Sequence, residues 1–314
     1  MNKTLIIAGF AGLMATTAMA QDIGVSMAAF DDNFLTVLRT GIETYAATLD
    51  GVTVQIEDAG NDVAKQLDQV NNFIASGVAA IVVNAVDTSA TQAMSDAAAA
   101  ANIPLVYVNR QPINVDTLPD NQAFVASNEV ESGTLETLEI CRLLKEAGKT
   151  EANIYVMMGE LSNQAAVQRT ADIHDVMASG NCGVTLTIID EQTANWSRDQ
   201  AQTLMTNWIT SGAAYDAVIA NNDEMAIGAI SAMKAAGVDM SVMIIGGIDA
   251  TQDALAAMQA GDLDVTVFQD AAGQGQGALN AAVALVKGEA VEQKVYIPFQ
   301  LVTPANVADF AAKN

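Results

Sequence analysis

The sequence predicts an α/β protein with two similar lobes, each a doubly wound parallel sheet, joined by a multi-strand hinge. Apolar strand-like segments alternate with amphipathic helical segments from residue 21 onward, and the alternation restarts near residue 122. Strands that alternate with helices form parallel sheets covered by helices on both faces. Because no proline- or serine-rich linker separates the halves, a hinge of several crossing strands fits better than a flexible tether.

The first twenty residues are typical of a cleavable export signal. Lys3 supplies the basic start, residues 5–14 form a short apolar run, and Ala18 and Ala20 frame a small-residue cleavage site. The run is too short to span a bilayer, although a membrane anchor is the alternative interpretation. We therefore expect residues 1–20 to be a signal peptide and the exported, soluble, monomeric chain to begin at Gln21.

The first half of the mature chain contains three strand–helix pairs and a fourth strand. A helix is predicted over 62–77, because Val63, Leu67, Val70 and Ile74 share one helical face and Gly77 is a stop signal. The predicted strands are 22–29, 52–58, 79–84 and 103–110, and the predicted helices are 33–49, 62–77 and an alanine-rich segment that ends at Asn102.

The second half repeats this layout after a strand at 123–128 that crosses to the new lobe. Strands are predicted at 152–158, 184–190, 216–220, 242–246 and 264–269, and helices at 129–147, 163–179, 198–211, 223–236 and 250–260. A helix over 269–288 and short strands within 294–303 complete the chain. We expect one lobe to comprise 21–127 with 270–299, and the other 128–269 with 300–314.

Charge and cysteine content narrow the function classes. The chain carries 37 acidic and 13 basic side chains and a net charge of −24, which repels phosphate backbones and argues against a nucleic-acid partner. Cys141 and Cys182 would meet an oxidising compartment after export. A disulfide between them would close a loop of about 40 residues, worth up to about 4 kcal/mol. Two separate buried thiols fit the sequence equally well, since sequence does not supply the geometry.

Polar side chains collect where the predicted strands end. In open parallel sheets, ligands bind beyond the carboxyl ends of the strands. The residues at or just after these ends are Asp31, Asp32, Asn84, Asn109, Arg110, Asn222, Asp223, Asp249 and Gln269, and Trp196 lies a few residues beyond another strand. Each asparagine or aspartate could instead cap the following helix, and Arg110 could be a solvated loop residue. If the lobes face each other at these edges, one cleft gathers the whole set.

The residue types suit a neutral ligand with many hydroxyl groups. The acids and amides accept hydrogen bonds, whereas Arg110 and Arg169 donate them. Two acids, Asp32 and Asp249, balance the two arginines. Phe34 and Trp196 could sandwich the C–H face of a ring polyol, which would explain a tryptophan in the polar stretch EQTANWSRDQ. The alternative is that Trp196 packs onto its own lobe.

These motifs resemble those of periplasmic sugar-binding proteins of the ribose/galactose-binding group, which serve ABC importers. The likeness covers nearly all of the mature chain, through IGVSMAAFDDNFLTVLRTGIE, VYVNRQP, NNDEMAIGA and GGIDAT. EQTANWSRDQ and DVTVFQDAAGQGQGA most resemble the inositol- and rhizopine-binding members. The resemblance implies a type I periplasmic binding protein fold, location in the periplasm, and hinge closure around a small neutral polyol.

The resemblance also implies a ligand set and partners. Its ligand-binding positions correspond here to Asp32, Phe34, Asn84, Asn109, Arg110, Arg169, Trp196, Asn222, Asp249 and Gln269, with Asn163 as a weaker candidate. Myo-inositol or a related cyclitol is the expected ligand, and an aldohexose such as galactose or glucose is the alternative. An ABC transporter permease is the implied partner. A chemoreceptor that recognises the closed form is a second candidate partner.

This chain differs from the ribose binders and from the galactose binders at particular positions. Ribose binders tend to have aspartate at the position of Asn109 and a second aromatic at that of Leu35. The calcium loop of the galactose binders has no counterpart in 145–153 or 181–192. We therefore expect neither a structural metal nor a cofactor.

Two other function classes fit less well. A glycosidase would need Asp32 and Asp249 as an acid–base pair, but neighbouring arginines favour ionisation of both. His174 lies in a predicted helix as a surface residue, and no nucleophile or metalloprotease motif is present. A sugar-responsive repressor would need a basic helix-turn-helix where the export signal lies. The expectation is a binding protein and not an enzyme.

Overall fold

A computed structural model describes residues 21–313, and the predicted signal peptide lies outside the described residues. The strands are β1 (Gln21–Met27), β2 (Val52–Asp58), β3 (Ala80–Val83), β4 (Leu105–Val108), β5 (Gln122–Ala126), β6 (Glu151–Met158), β7 (Thr185–Thr193), β8 (Ala217–Ala220), β9 (Ile244–Gly246), β10 (Thr266–Phe268), β11 (Lys294–Tyr296) and β12 (Gln300–Val302). The helices are α1 (Asn33–Ala46), α2 (Val63–Ser76), α3 (Thr91–Ala100), α4 (Glu129–Glu146), α5 (Gln164–Ser179), α6 (Arg198–Ser211), α7 (Asp223–Ala235), α8 (Gln252–Ala260) and α9 (Ala271–Val286).

Two parallel sheets organise these elements, which confirms the predicted fold class. The first sheet has the order β11-β5-β4-β3-β1-β2 and the second has the order β7-β6-β8-β9. All pairings within both sheets are parallel. Isolated parallel bridges extend the second sheet toward β10, which pairs antiparallel with β12. We call the first sheet with its packed helices the first lobe, and the second sheet with its packed helices the second lobe.

The chain passes between the sheets three times within residues 21–313. It leaves the first sheet after β5, returns after β10 through α9, and leaves again between β11 and β12. Helix α9 packs on α1 and on β3, β4 and β5, and β11 pairs with β5, so α9 and β11 complete the first lobe. Within residues 21–313, no helix is both long enough and apolar enough to cross a bilayer.

Burial on both faces explains why the strands are so apolar. Val25, Val82, Val106 and Val125, from four neighbouring strands of the first sheet, are all fully buried. Continuous apolar strands are expected where helices cover both faces of a parallel sheet. These rigid cores hold the strand ends, and hence the polar residues that follow them, at fixed positions.

Strand β7 extends beyond its predicted end at residue 190. The β6–β7 pairing shifts register between Ile154 and Tyr155, which leaves Ile189 without a partner and pairs Asp190 to Thr193 with the end of β6. An extra residue in one strand of a pair bends and twists it. The polar residues at the end of β7 are therefore paired in the sheet, and the loop that carries Trp196 starts beside β6.

Cys141 and Cys182 form a disulfide in the second lobe. Their Cα atoms lie 5.1 Å apart, and the bridge ties α4 to the segment just before β7. Both cysteines are buried against apolar neighbours such as Ile154 and Val184. Of the two arrangements that the sequence left open, the structure contains the bridged one.

Replacement of both cysteines by alanine is expected to lower the free energy of unfolding by about 2–4 kcal/mol, because the bridge restricts the unfolded chain. Chemical denaturation of the variant and the oxidised wild type measures this difference. The variant serves as its own control, since a reducing agent should not change its stability. Equal stability of variant and wild type would contradict a stabilising bridge.

Candidate functional site

A cavity lies between the lobes where the carboxyl ends of both sheets meet. Together with the solvent space at its mouth, its empty volume is about 370 Å³. Ten predicted site residues line it, namely Asp32, Phe34, Asn109, Arg110, Asn163, Arg169, Trp196, Asn222, Asp249 and Gln269. Leu35, Glu129 and Ala165 line it as well. The structure therefore brings together residues from both lobes, as the strand-end reasoning predicted.

Asp32 and Arg110 form the first-lobe part of the lining. The Asp32 carboxylate caps α1 by accepting a hydrogen bond of 2.7 Å from the Leu35 N–H. Burial raises the pKa of Asp32, while the neighbouring Arg110 opposes this shift. The Arg110 guanidinium is itself buried and donates to the Ala85 carbonyl at 3.0 Å. Capping and lining are thus compatible roles for one aspartate.

Asn84 does not line the cavity, which differs from the predicted ligand set. Its side chain is fully buried and its Nδ2 donates to the Asn109 Oδ1 at 3.2 Å. Asn109 in turn donates to the Gln274 Oε1 at 3.2 Å, and Gln274 donates to the Ser127 hydroxyl at 3.1 Å. Asn84 and Gln274 therefore support Asn109 from behind. Gln274 was not among the predicted site residues.

Arg169 is the central cation of the second-lobe lining. Its Nε and Nη2 donate to the two carboxylate oxygens of Glu129 at 2.8 and 3.0 Å. Its Nη1 donates to the Asn221 carbonyl at 2.7 Å and lies 3.9 Å from the Asp249 carboxylate. Burial alone lowers the pKa of Arg169, but Glu129, Asp249 and Glu136 together outweigh it and the pKa is raised. The guanidinium is held charged and in one orientation.

Glu129 was missed at the level of sequence. It is the first residue of α4, where acidic residues are common because they complement the helix dipole. In the structure its side chain is buried, pairs with Arg169, and accepts from the Ser132 hydroxyl at 3.0 Å. No sequence signal separates this acid from a solvent-exposed first-turn acid such as Glu131.

Glu129 changes the predicted charge balance of the cavity. Three carboxylates, those of Asp32, Glu129 and Asp249, now face the guanidinium groups of Arg110 and Arg169. Burial raises the pKa of Asp249 well above its usual value, although Arg169 opposes the shift. With one of the three acids protonated the lining is neutral, and with all three ionised it carries one excess negative charge.

Trp196 lines the cavity from the loop between β7 and α6. Asn195 and Trp196 both adopt left-handed backbone conformations, with φ of 52° and 62°. The indole also packs on the apolar core of the second lobe, and the Arg169 Cζ lies 5.6 Å from the ring centroid. The indole therefore packs on its own lobe and lines the cavity at the same time, and its stacking on a ring ligand stays a prediction. Phe34, from the other lobe, lines the same cavity.

Asn222 and Asp223 are adjacent strand-end residues with different roles in the structure. Asn222 does both, since it lines the cavity and accepts from the Met225 N–H at 3.0 Å as the cap of α7. Asp223 points into the second lobe and accepts from the Thr251 N–H at 2.8 Å and the Thr266 hydroxyl at 2.7 Å. Burial raises the pKa of Asp223 to about 6.

Asp223 thereby holds the loop that carries Asp249. The backbone of Asp249 has a φ of 126°, a conformation that non-glycine residues rarely adopt. Such strain persists only where surrounding contacts enforce it, and the hydrogen bonds from Thr251 and Thr266 to Asp223 supply those contacts. The Asp249 carboxylate is thus fixed beside Arg169 before any ligand arrives.

Direct contacts between the lobes close the cleft around the cavity. The backbone N–H and hydroxyl of Thr88 both donate to the Ser162 carbonyl at 3.1 Å. The Asn33 side chain donates to Glu224 at 2.8 Å, and Arg110 lies 3.9 Å from Glu160. A ligand in the cavity would therefore be enclosed by both lobes. Among residues 21–313, no group of three or more His, Cys, Asp or Glu side chains is arranged to hold a metal ion.

A two-lobed α/β fold with a polar and aromatic cavity at facing strand ends defines a solute-binding protein, and the chain belongs to the periplasmic binding protein family. A periplasmic binding protein domain matches residues 23–290. A Rhizobium meliloti protein that carries the assignment rhizopine-binding protein is 64% identical over 314 residues, the full length of both chains. This family and its relatives are binding proteins and not enzymes.

Two solved structures share the fold and carry a bound ligand. An ABC transporter solute-binding protein from Bacillus halodurans with bound myo-inositol is 40% identical, with a TM-score of 0.87 over 95% of this chain and 100% of that one. A Caulobacter myo-inositol binding protein bound to myo-inositol is 28% identical, with a TM-score of 0.84 over 94% of this chain and 97% of that one. Both likenesses extend over nearly the whole two-lobed architecture.

Glu136 is a further buried acid, behind Arg169 on α4. Its side chain is fully buried, and a Cβ atom at Gly246 would lie 2.6 Å from its Oε1, so a side chain at residue 246 would displace the carboxyl group. Burial raises the pKa of Glu136 well above its usual value, although the charge of Arg169 opposes the shift. Below the unfolded-state pKa the proton is bound in both states. As the pH rises, the unfolded chain ionises first, so folding becomes less favourable.

The substitution Glu136→Gln is therefore expected to stabilise the protein at high pH and not at low pH. The difference in unfolding free energy should be near zero at pH 4 and should grow in favour of the variant as the pH rises to 8. Urea denaturation across this pH range measures it. Glu131→Gln, at an exposed position of the same helix, is the matched control. A difference between Glu136→Gln and wild type that does not vary with pH would contradict the prediction.

Proposed function

We propose that this protein captures an uncharged cyclic polyol, myo-inositol or a related cyclitol, by closing its two lobes around it. The observation that carries the proposal is that Phe34 and Trp196, from different lobes, line one cavity together with hydrogen-bonding side chains. Aromatic faces stack on the C–H face of a ring, whereas the acids, amides and guanidinium groups bind its hydroxyls. The ligand-binding set is Asp32, Phe34, Asn109, Arg110, Arg169, Trp196, Asn222, Asp249 and Gln269, with Asn163 as a further contact.

Closure would be driven by contacts that only the closed form makes. A ligand shifts a two-state equilibrium only through its different affinities for the two states. Asp32 and Arg110 belong to the first lobe and Arg169 and Asp249 to the second, so one ligand bound to all four would favour closure. The hinge would lie at the three crossings, between a lobe of 21–127 with 270–299 and a lobe of 128–269 with 300–314.

The relatives support a cyclitol over other sugars. Two of the structural relatives hold myo-inositol, and the 64% identical relative carries the assignment rhizopine-binding protein. The third carboxylate, Glu129, favours a second candidate, a cyclitol with one protonated amino group. When Asp249 is ionised, such a ligand would balance the excess negative charge of the lining.

Export and delivery complete the proposed role. The first twenty residues would direct the chain to the periplasm, where the monomeric, closed, ligand-bound form would dock on an ABC transporter permease. A chemoreceptor is a second reader of the same closed surface. Neither a cofactor nor a nucleic-acid partner is part of this proposal.

A thermal-shift screen tests the ligand class, because a ligand that binds the folded state raises the melting temperature. Myo-inositol, scyllo-inositol, an amino-substituted cyclitol, galactose, glucose and ribose form the panel. We expect the cyclitols to stabilise most, and the amino-substituted one to gain as the pH rises and Asp249 ionises. Stabilisation by ribose alone, or by none of the six, would overturn the proposed function.

Trp196→Ala is expected to weaken binding of the best ligand at least tenfold, about 1.4 kcal/mol, because one aromatic wall is lost. Isothermal titration calorimetry measures the affinity. Trp208→Phe is the control, since Trp208 stacks on Tyr155 in the second-lobe core and does not line the cavity. Unchanged affinity of Trp196→Ala would remove the stacking role. Arg169→Ala is less suitable, because it leaves the buried Glu129 unpaired and would cost about 3–5 kcal/mol of stability.

A further inference from the structure

Gly159 lies directly behind the indole of Trp196. It follows the last residue of β6 and is buried. A Cβ atom at this position would fall well inside contact distance of three indole atoms, Cζ2, Cη2 and Cε2 of Trp196. The absence of a side chain at residue 159 therefore allows the ring to rest against the backbone.

The conformation of Gly159 does not by itself require glycine. Its φ lies outside the left-handed region, so the backbone admits an L-residue. The peptide is also held in place, because its N–H donates to the Asn221 side chain at 3.1 Å and its carbonyl accepts from the Thr193 hydroxyl at 2.7 Å. A methyl group at residue 159 could not be relieved by backbone movement without loss of these bonds. The indole would have to move instead.

The direction in which the indole can move is limited. Its other neighbours include the apolar second-lobe core and the Arg169 guanidinium, and Arg169 is fixed by Glu129 and Asn221. Carbon atoms pack at about 3.5–4.0 Å, so a Cβ at residue 159 would displace the ring by on the order of 1 Å. The open space beside Trp196 consists of the ligand cavity and an adjoining opening that Asn195 and Arg198 also line. Movement of the ring into the ligand cavity would narrow it.

We infer that Gly159 is a specificity-determining position. By seating Trp196 against the backbone, it sets the width of the space between Trp196 and Phe34, here called the ligand gap. This inference rests on the proposed function, since it assigns the gap to a cyclitol ring. A wide gap admits a ring with an axial hydroxyl, such as myo-inositol. A narrow gap favours a flatter ring with only equatorial hydroxyls, such as scyllo-inositol.

A double-mutant cycle with Gly159→Ala and Trp196→Phe tests the inference. Phenylalanine lacks the second ring of the indole and so relieves the contact with a methyl group at residue 159. We expect Gly159→Ala to weaken myo-inositol binding at least tenfold in the wild-type background and at most twofold in the W196F background, as measured by calorimetry. Within the wild-type background, the loss for scyllo-inositol should be smaller than that for myo-inositol.

Two results would overturn the inference. One is a similar loss of affinity in both backgrounds, which would mean that Gly159 serves the backbone alone. The other is an equal loss for both stereoisomers, which would remove the role in gap width. Circular dichroism checks folding: if G159A folds only together with W196F, the seating is supported, and if it folds in neither background, the inference fails.

The same cycle in ligand-free protein separates this inference from the proposed function. The melting temperature should fall on Gly159→Ala in the wild-type background and remain within about 2 °C in the W196F background, a shift that corresponds to less than about 1 kcal/mol. If wild-type protein binds none of the cyclitols, the proposed function fails, and with it the assignment of the gap to a cyclitol. The melting cycle still decides whether Gly159 seats the indole, and equal melting shifts in both backgrounds would overturn the seating.

Discussion

The buried ion pair between Arg169 and Glu129 organises the second-lobe half of the cavity. One guanidinium connects the start of α4, the carbonyl of Asn221 after β8, and the Gln269 side chain after β10. These segments are distant in sequence and meet only at the carboxyl edge of the sheet. A buried charge pair is costly to desolvate and stabilises only when its remaining hydrogen bonds are satisfied. Here the carbonyl and the amide meet that condition, so the arginine is presented to the cavity in a single orientation.

Several residues that line the cavity also stabilise the fold. Asp32, Asn163 and Asn222 cap helices and line the cavity at the same time. A cap fixes the side chain through backbone hydrogen bonds, which reduces the entropy lost when a ligand is bound. The fold thus holds these acceptors in place without a ligand.

Burial and neighbouring charges together determine the pKa values of the acids near Arg169. The surroundings of Arg169 contain the acids Glu129, Glu136 and Asp249, with Asp223 nearby. Burial raises the pKa of Glu136, Asp223 and Asp249, so several of these groups hold protons more tightly than an exposed carboxyl would. A hydroxylated ligand can donate to an ionised carboxylate or accept from a protonated one. Of these three acids only Asp249 lines the cavity, so its protonation state would decide whether it accepts from a ligand hydroxyl or donates to one.

The sequence by itself determined the alternation of strands and helices, the two-lobed fold, and most of the cavity lining. These features depend on local patterns, since apolar periodicity and strand-end polar residues can be read within short segments. Only the tertiary structure decided that Glu129 is a partner of Arg169, that Asn84 stands behind Asn109, that the cysteines are joined, and that Gly159 seats Trp196. Each of these depends on the approach of segments far apart in the chain. Burial and contact arise from the packing of whole elements, and no local pattern distinguishes an acid, an amide or a glycine that will be buried there from one that will face solvent.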